Sequence, residues 1–146
     1  MPSLTQEHTF TGEINGVFTA ISTYSKYPEY LPGVQKIEVL PAKSSKSTCQ
    51  VRYELNLIKT FYYILNMYAE KPGKIWWDLE ESNLMTANEG SWDLKPEGKT
   101  KVHATYTLDI GFKGLVPRAI TDRLAKANLP LMFSGFQKMI DDLGSK

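Results

Sequence analysis

Residues Pro117–Leu143, PRAITDRLAKANLPLMFSGFQKMIDDL, decide how the rest of this chain has to be arranged. Ile120, Leu124, Ala127 and Leu131 recur at steps of three and four, which places them on one face of a helix. Past Pro130 the stripe resumes at Met132, Phe136, Met139, Ile140 and Leu143, slightly rotated from the first half. Pro130 has no N–H for the carbonyl of Lys126 and its ring crowds that carbonyl, which predicts a kink. Pro117 suits a first helical turn and Gly144 a C-terminal cap. At ~1.5 Å per residue the helix would run roughly 40 Å, too long to bury its apolar face alone. Leu124, Ala127, Leu131, Phe136 and Ile140 are therefore expected to face other elements wrapped around it.

Those elements read mostly as strands. Leu4 to Thr11 alternates as a first strand. Ile14, Val17, Phe18 and Ile21 then fall at helical spacing, giving a short helix over 13–22, and a second one-turn helix is expected around Lys26 to Tyr30 before the Pro32-Gly33 stop. Val34 to Leu40 is a strand. Thr48 to Leu57 alternates cleanly, with Cys49, Val51, Tyr53, Leu55 and Leu57 on one face, as in a half-buried antiparallel strand. Phe61 to Ala69 is apolar on both faces, so alternation does not reveal its inner side. Lys71-Pro72-Gly73-Lys74 turns the chain into Ile75 to Glu80, where Trp76 and Trp77 must point to opposite faces. Leu84 to Leu94 and Thr100 to Ile110 form the next hairpin. Pairing Trp92 with Val102 and Leu94 with Thr100 puts Trp92, Leu94, Val102, Ala104, Tyr106, Leu108 and Ile110 on one face, and Gly90 suggests a bulge. The expectation is an α+β architecture: a curved antiparallel sheet of about seven strands wrapped around a long C-terminal helix, with two short helices after strand 1.

The 146 residues, 42% of them hydrophobic, suit one domain over 1–146 with a real core. Seventeen basic side chains against 16 acidic ones leave a net charge of +1, so no nucleic-acid partner is expected. The N-terminal MPSLTQEHTF has no basic segment leading into an apolar run, and the chain has a single cysteine, Cys49. Both point to a cytoplasmic protein without a signal peptide. No apolar window is long enough to span a membrane.

Two stretches carry a resemblance. Val17-Phe18-Thr19-Ala20-Ile21 leading to Tyr27-Pro28-Glu29-Tyr30-Leu31-Pro32-Gly33-Val34, and Gly90-Ser91-Trp92-Asp93-Leu94-Lys95-Pro96-Glu97-Gly98-Lys99-Thr100-Lys101-Val102, resemble the opening and the central hairpin of the START-like (SRPBCC) superfamily. The likeness is to its polyketide cyclase/dehydrase and coenzyme Q-binding protein families. It implies a helix-grip fold and an apolar small-molecule ligand (a lipid, quinone, sterol or polyketide) between sheet and helix. Members of the superfamily include lipid carriers, cyclases and a ribosome-associated branch, so a polyketide cyclase or dehydratase and a ribosome-associated interaction protein stand beside the carrier or sensor reading.

In that setting Tyr53, Leu55, Tyr63, Trp77, Trp92, Tyr106, Leu124 and Leu131 are the expected ligand contacts, since an aromatic interior suits a flat or long apolar molecule. Asn66, Asn88 and Glu89, whose facing alternation leaves open, are the candidate polar groups of the pocket. The apolar residues Phe112, Leu115 and Val116, flanked by Lys113 and Arg118, form a candidate portal that would touch a membrane surface transiently during ligand transfer. No metal or cofactor is expected. His8 and His103 do not fall at ligand spacing with Cys49 or a carboxylate, and read as ordinary surface or edge histidines. Cys49 reads as an inert buried thiol.

Overall fold

The computed structural model describes residues 3–31, 34–56, 60–114 and 129–143. Its strands are β1 (Ser3–Thr11), β2 (Lys36–Leu40), β3 (Cys49–Asn56), β4 (Thr60–Glu70), β5 (Lys74–Ser82), β6 (Met85–Glu97) and β7 (Lys101–Phe112). Helix α1 (Ile14–Ser22), a 3-10 turn (Tyr24–Lys26) and α2 (Tyr27–Tyr30) follow β1, and α3 (Leu129–Leu143) ends the described chain. The strands form one seven-stranded sheet in the order β1-β7-β6-β5-β4-β3-β2, with every neighbouring pair antiparallel. This is the helix-grip arrangement: successive hairpins run from β2 to β7, and the first strand returns beside the last.

Two details of the sheet differ from the sequence expectation. The last hairpin pairs Trp92 with Tyr106 and Leu94 with Ala104, while Pro96 opposes Val102. The strand runs through Pro96 and Glu97, and the turn is Gly98-Lys99-Thr100. Because the slip is an even number of residues, every side chain keeps its expected face, and Trp92, Leu94, Val102, Ala104, Leu108 and Ile110 are all buried. Gly90 is paired in regular register with Trp77 and Leu108 rather than bulged. The irregularities lie between Ile64 and Leu65 and between Met85 and Ala87.

Helix α3 buries Phe133, Gly135, Phe136, Met139 and Ile140. Phe136 meets Trp92 and Tyr27 edge-on, at 5.3 Å in each case. Gly135 permits the closest approach, since a Cβ there would lie 2.4 Å from the carbonyl oxygen of Tyr30. At one end, Gln137 accepts a hydrogen bond from the Thr11 N–H and donates one to the Thr11 carbonyl, both 2.9 Å, as a strand neighbour would. Leu131, expected to face inward, is instead 53% exposed. At about 100° per residue it lies roughly 140° around the helix from Phe136. It shares the phase of the earlier stripe, whose residues Leu124 and Ala127 lie outside the described residues.

Candidate functional site

Alternation along the strands separates two chemically distinct faces. On the outer face, Asn66 donates to Asp78 at 2.8 Å and to Glu80 at 3.2 Å, and accepts from Gln50 at 2.9 Å. Its expected place in a pocket is thus corrected: residues 61, 65 and 67 of β4 are the buried ones, and Asn66 belongs to the other set. The outer apolar residues of β4 have partners of their own. Arg52 sits 4.9 Å over the Tyr62 ring, and Tyr68 stacks on Trp76 at 5.5 Å. Glu89 is likewise corrected. With no bulge at Gly90 the alternation of β6 holds, leaving Glu89 exposed and Asn88 buried.

The inner face carries a continuous run of rings. Tyr53 and Tyr63 stack at 4.7 Å, Tyr27 lies 6.4 Å from Tyr53, and Tyr24 is 5.8 Å from Tyr27. Tyr27 connects through Phe136 to Trp92, which is 4.8 Å from Tyr106, itself 6.1 Å from Trp77. The expected contacts Tyr53, Leu55, Trp77, Trp92 and Tyr106 are therefore all buried on one concave surface, with Tyr63 half-buried beside them. Phe136, expected to face the sheet, joins this surface from α3, and the short helices bring Tyr24 and Tyr27, which the sequence does not mark as contacts, to the same place. No local signal marks Tyr24 and Tyr27, because their place depends on how the short helices pack against β2 and α3.

Burial is the main cause that raises the hydroxyls of Tyr24, Tyr27, Tyr53, Tyr63 and Tyr106 above the ordinary value of 10.0. Neighbouring phenols add to it at Tyr27, Tyr53 and Tyr63. These groups stay protonated near neutrality and can donate as well as accept. Tyr27 is already committed, donating to the carbonyl of Ile21. Cys49 is half-buried and burial pushes its thiol up, which makes it a poor nucleophile. Among the described residues no His, Cys, Asp and Glu side chains cluster as metal ligands would. None of their helices is long and apolar enough to cross a membrane.

At the β1 edge, a groove of ≈690 Å³ between β1 and α3 is lined by residues that include Gln6, His8, Leu129 and Phe133. His8 stacks face to face on Phe133 at 4.6 Å and meets the edge of Phe10 at 4.7 Å. Partial burial against these rings holds its imidazole below 6.5. In the unfolded chain the ring takes up its proton at the ordinary value, so the unfolded state binds more protons as the pH falls, and stability drops. Stability is therefore expected to decline below pH 6.5 more steeply in the wild type than in His8→Phe, as read by urea denaturation at several pH values. Equal declines would remove His8 as a contributor.

Of the expected portal, Phe112 is half-buried and packs against the core at the end of β7. Lys113 is tied down by its backbone N–H to the Leu84 carbonyl, 2.8 Å, and by its ammonium to the Ser82 carbonyl, 2.7 Å. Leu115, Val116 and the ligand contact Leu124 lie outside the described residues.

A curved antiparallel sheet gripping a C-terminal helix is the helix-grip fold. Within it, residues 13–136 match the model of the polyketide cyclase/dehydrase and lipid transport family, and the chain belongs to that family. Solved structures agree on the fold. A START superfamily protein from Mycobacterium smegmatis superposes with a TM-score of 0.81 at 16% identity, covering 96% of this chain and 97% of its own. A protein from Thermus thermophilus gives 0.80 at 17%, covering 97% and 98%. The Zhui aromatase/cyclase from a Streptomyces species, strain R1128, gives 0.77 at 13%, covering 96% and 94%. No curated protein matches the chain in sequence.

Proposed function

We propose that this protein binds a flat or elongated apolar small molecule between its sheet and C-terminal helix, as a carrier or sensor. The observation that carries the reading is the character of the inner face: a connected set of tyrosine and tryptophan rings with no charged side chain buried among the described residues. Aside from tyrosine, the buried polar side chains among the described residues are Gln50, Ser82 and Asn88, all neutral, and Gln50 belongs to the outer face with Asn66. Tyr63 remains half-buried although β4 is an internal strand, which supports an interior not completely filled by its own side chains. Such a surface offers dispersion contacts to an apolar body and a few fixed hydroxyls to orient it.

A cyclase or dehydratase acting on a polyketide-like substrate is the second reading, and the protonated tyrosines favour it. A phenol kept neutral by burial can donate to a carbonyl oxygen as negative charge develops there. No carboxylate is buried among the described inner-face residues, and this supports carriage over turnover. The ribosome-associated reading draws little from the outer face, where Lys43 and Arg52 are paired with Glu80 and Glu54 rather than forming a basic surface.

The test is a titration with a panel of quinones, fatty acids and aromatic ketones, following tryptophan emission and melting temperature. Trp77 and Trp92 line the inner face, so a bound molecule should change the emission, and binding to the native state should raise the melting temperature. If a broad panel leaves both unchanged, the ligand-binding reading fails.

A further inference from the structure

Asn88 is buried on the inner face of β6 opposite Ile110 and is 5% exposed. Its Oδ1 accepts a hydrogen bond from Trp77 Nε1 at 3.0 Å. An indole N–H only donates, so the amide must present its oxygen to Trp77 and turn its nitrogen the other way. That nitrogen carries two hydrogens. Among the described residues the acceptor it meets is the thioether of Met85, 3.5 Å away, a weak one. Burying the amide nitrogen against so poor an acceptor works against stability, while the amide oxygen is satisfied by Trp77.

The neighbouring sequence keeps this arrangement in place. Gly90, the next inward position on β6, has no side chain, and the Trp77 ring occupies the space. A Cβ there would come within 2.4 Å of Trp77 Cζ2. Met85 is the adaptable member of the set, an unbranched side chain that can turn aside when a better acceptor takes its place. The outcome is a donor held in a fixed direction, resting on a partner that gives way easily.

We infer that Asn88 Nδ2 is the specificity-determining group of the interior, donating to a carbonyl oxygen on a flat apolar ligand, with Trp77 as the residue that positions it. This rests on the ligand-binding reading above and adds the chemistry that the ligand must carry. An oxygenated ring system gains a hydrogen bond to Nδ2 in place of the thioether contact, whereas a plain hydrocarbon of the same shape leaves the amide as it is.

Fluorenone and fluorene make a matched pair of probes, alike in outline and differing in one carbonyl. Calorimetric titration is expected to show the wild type favouring fluorenone by about tenfold relative to Asn88→Leu, as one hydrogen bond would give. Taking the ratio of the two probes in each protein cancels their different solubilities. Asn88→Leu strands the Trp77 N–H, so Trp77→Phe/Asn88→Leu, which removes both partners, is the companion variant. It should fold nearly as well as the wild type and show the same loss of preference. Trp77→Phe alone keeps the amide but frees its orientation, and should give an intermediate ratio, which a purely structural role would not produce. If both probes bind and the ratio is the same in the wild type and the double variant, the inference is overturned while ligand binding stands. If neither probe binds the wild type, this inference is overturned, and the panel titration above decides the ligand-binding reading separately.

Discussion

Phe136→Ala is expected to lower the free energy of unfolding by about 3–5 kcal/mol, the usual cost of removing a buried ring whose neighbours cannot collapse into the gap. Phe136 is 2% exposed and touches Tyr27 from the short helices and Trp92 from β6. Its removal leaves three elements without their common contact. The paired control is Leu131→Ala. Leu131 is 53% exposed, so its truncation should stay within about 0.5 kcal/mol. Urea denaturation of the two variants side by side reads both values. A large loss at Leu131 with a small one at Phe136 would mean that α3 presents the opposite face to the sheet.

That pair also marks where the sequence was and was not legible. The strand pattern could be read because alternation needs only parity. A hairpin register wrong by four residues still put Trp92, Tyr106 and Ile110 on the correct face. Helical phase is less forgiving. The apolar stripe changes phase across Pro130, and Leu131 belongs to the first half by spacing but stands among the residues of the second. Asn66 was unreadable for a different reason. Its strand is apolar on both sides, because Tyr62 and Tyr68 have outer-face partners in Arg52 and Trp76, and a strand apolar on both sides gives no parity signal.

The candidate site was legible in its residue types more than in its membership. Tyr53, Trp77, Trp92 and Tyr106 fall on strands whose inner faces alternation gives directly. Tyr24 and Tyr27 reach the same surface only because the short helices pack against β2 and α3, a long-range packing outcome with no local signature. Asn88 and Glu89 were separated by a single question, whether Gly90 bulges. The glycine turns out to serve a side chain on the neighbouring strand rather than a distortion in its own.

Gly90→Ala is accordingly expected to be far more damaging than a single added methyl group suggests, at about 3 kcal/mol, the upper end of the usual overpacking cost. The new Cβ would lie 2.4 Å from Trp77 Cζ2 and 2.6 Å from the Thr107 carbonyl oxygen. The ring could in principle swing away, but the carbonyl belongs to the backbone of β7 and is held in the sheet. Relief therefore needs both a moved indole and a displaced strand. A moved indole also breaks the Trp77–Asn88 hydrogen bond, which stands between two buried groups. The signature is thus double: a lowered urea midpoint, and a tryptophan emission spectrum altered in the native baseline before any unfolding. An unaltered native spectrum with stability within about 0.5 kcal/mol of the wild type would show that Trp77 does not lie over Gly90. The positioning role given to that ring would then go with it.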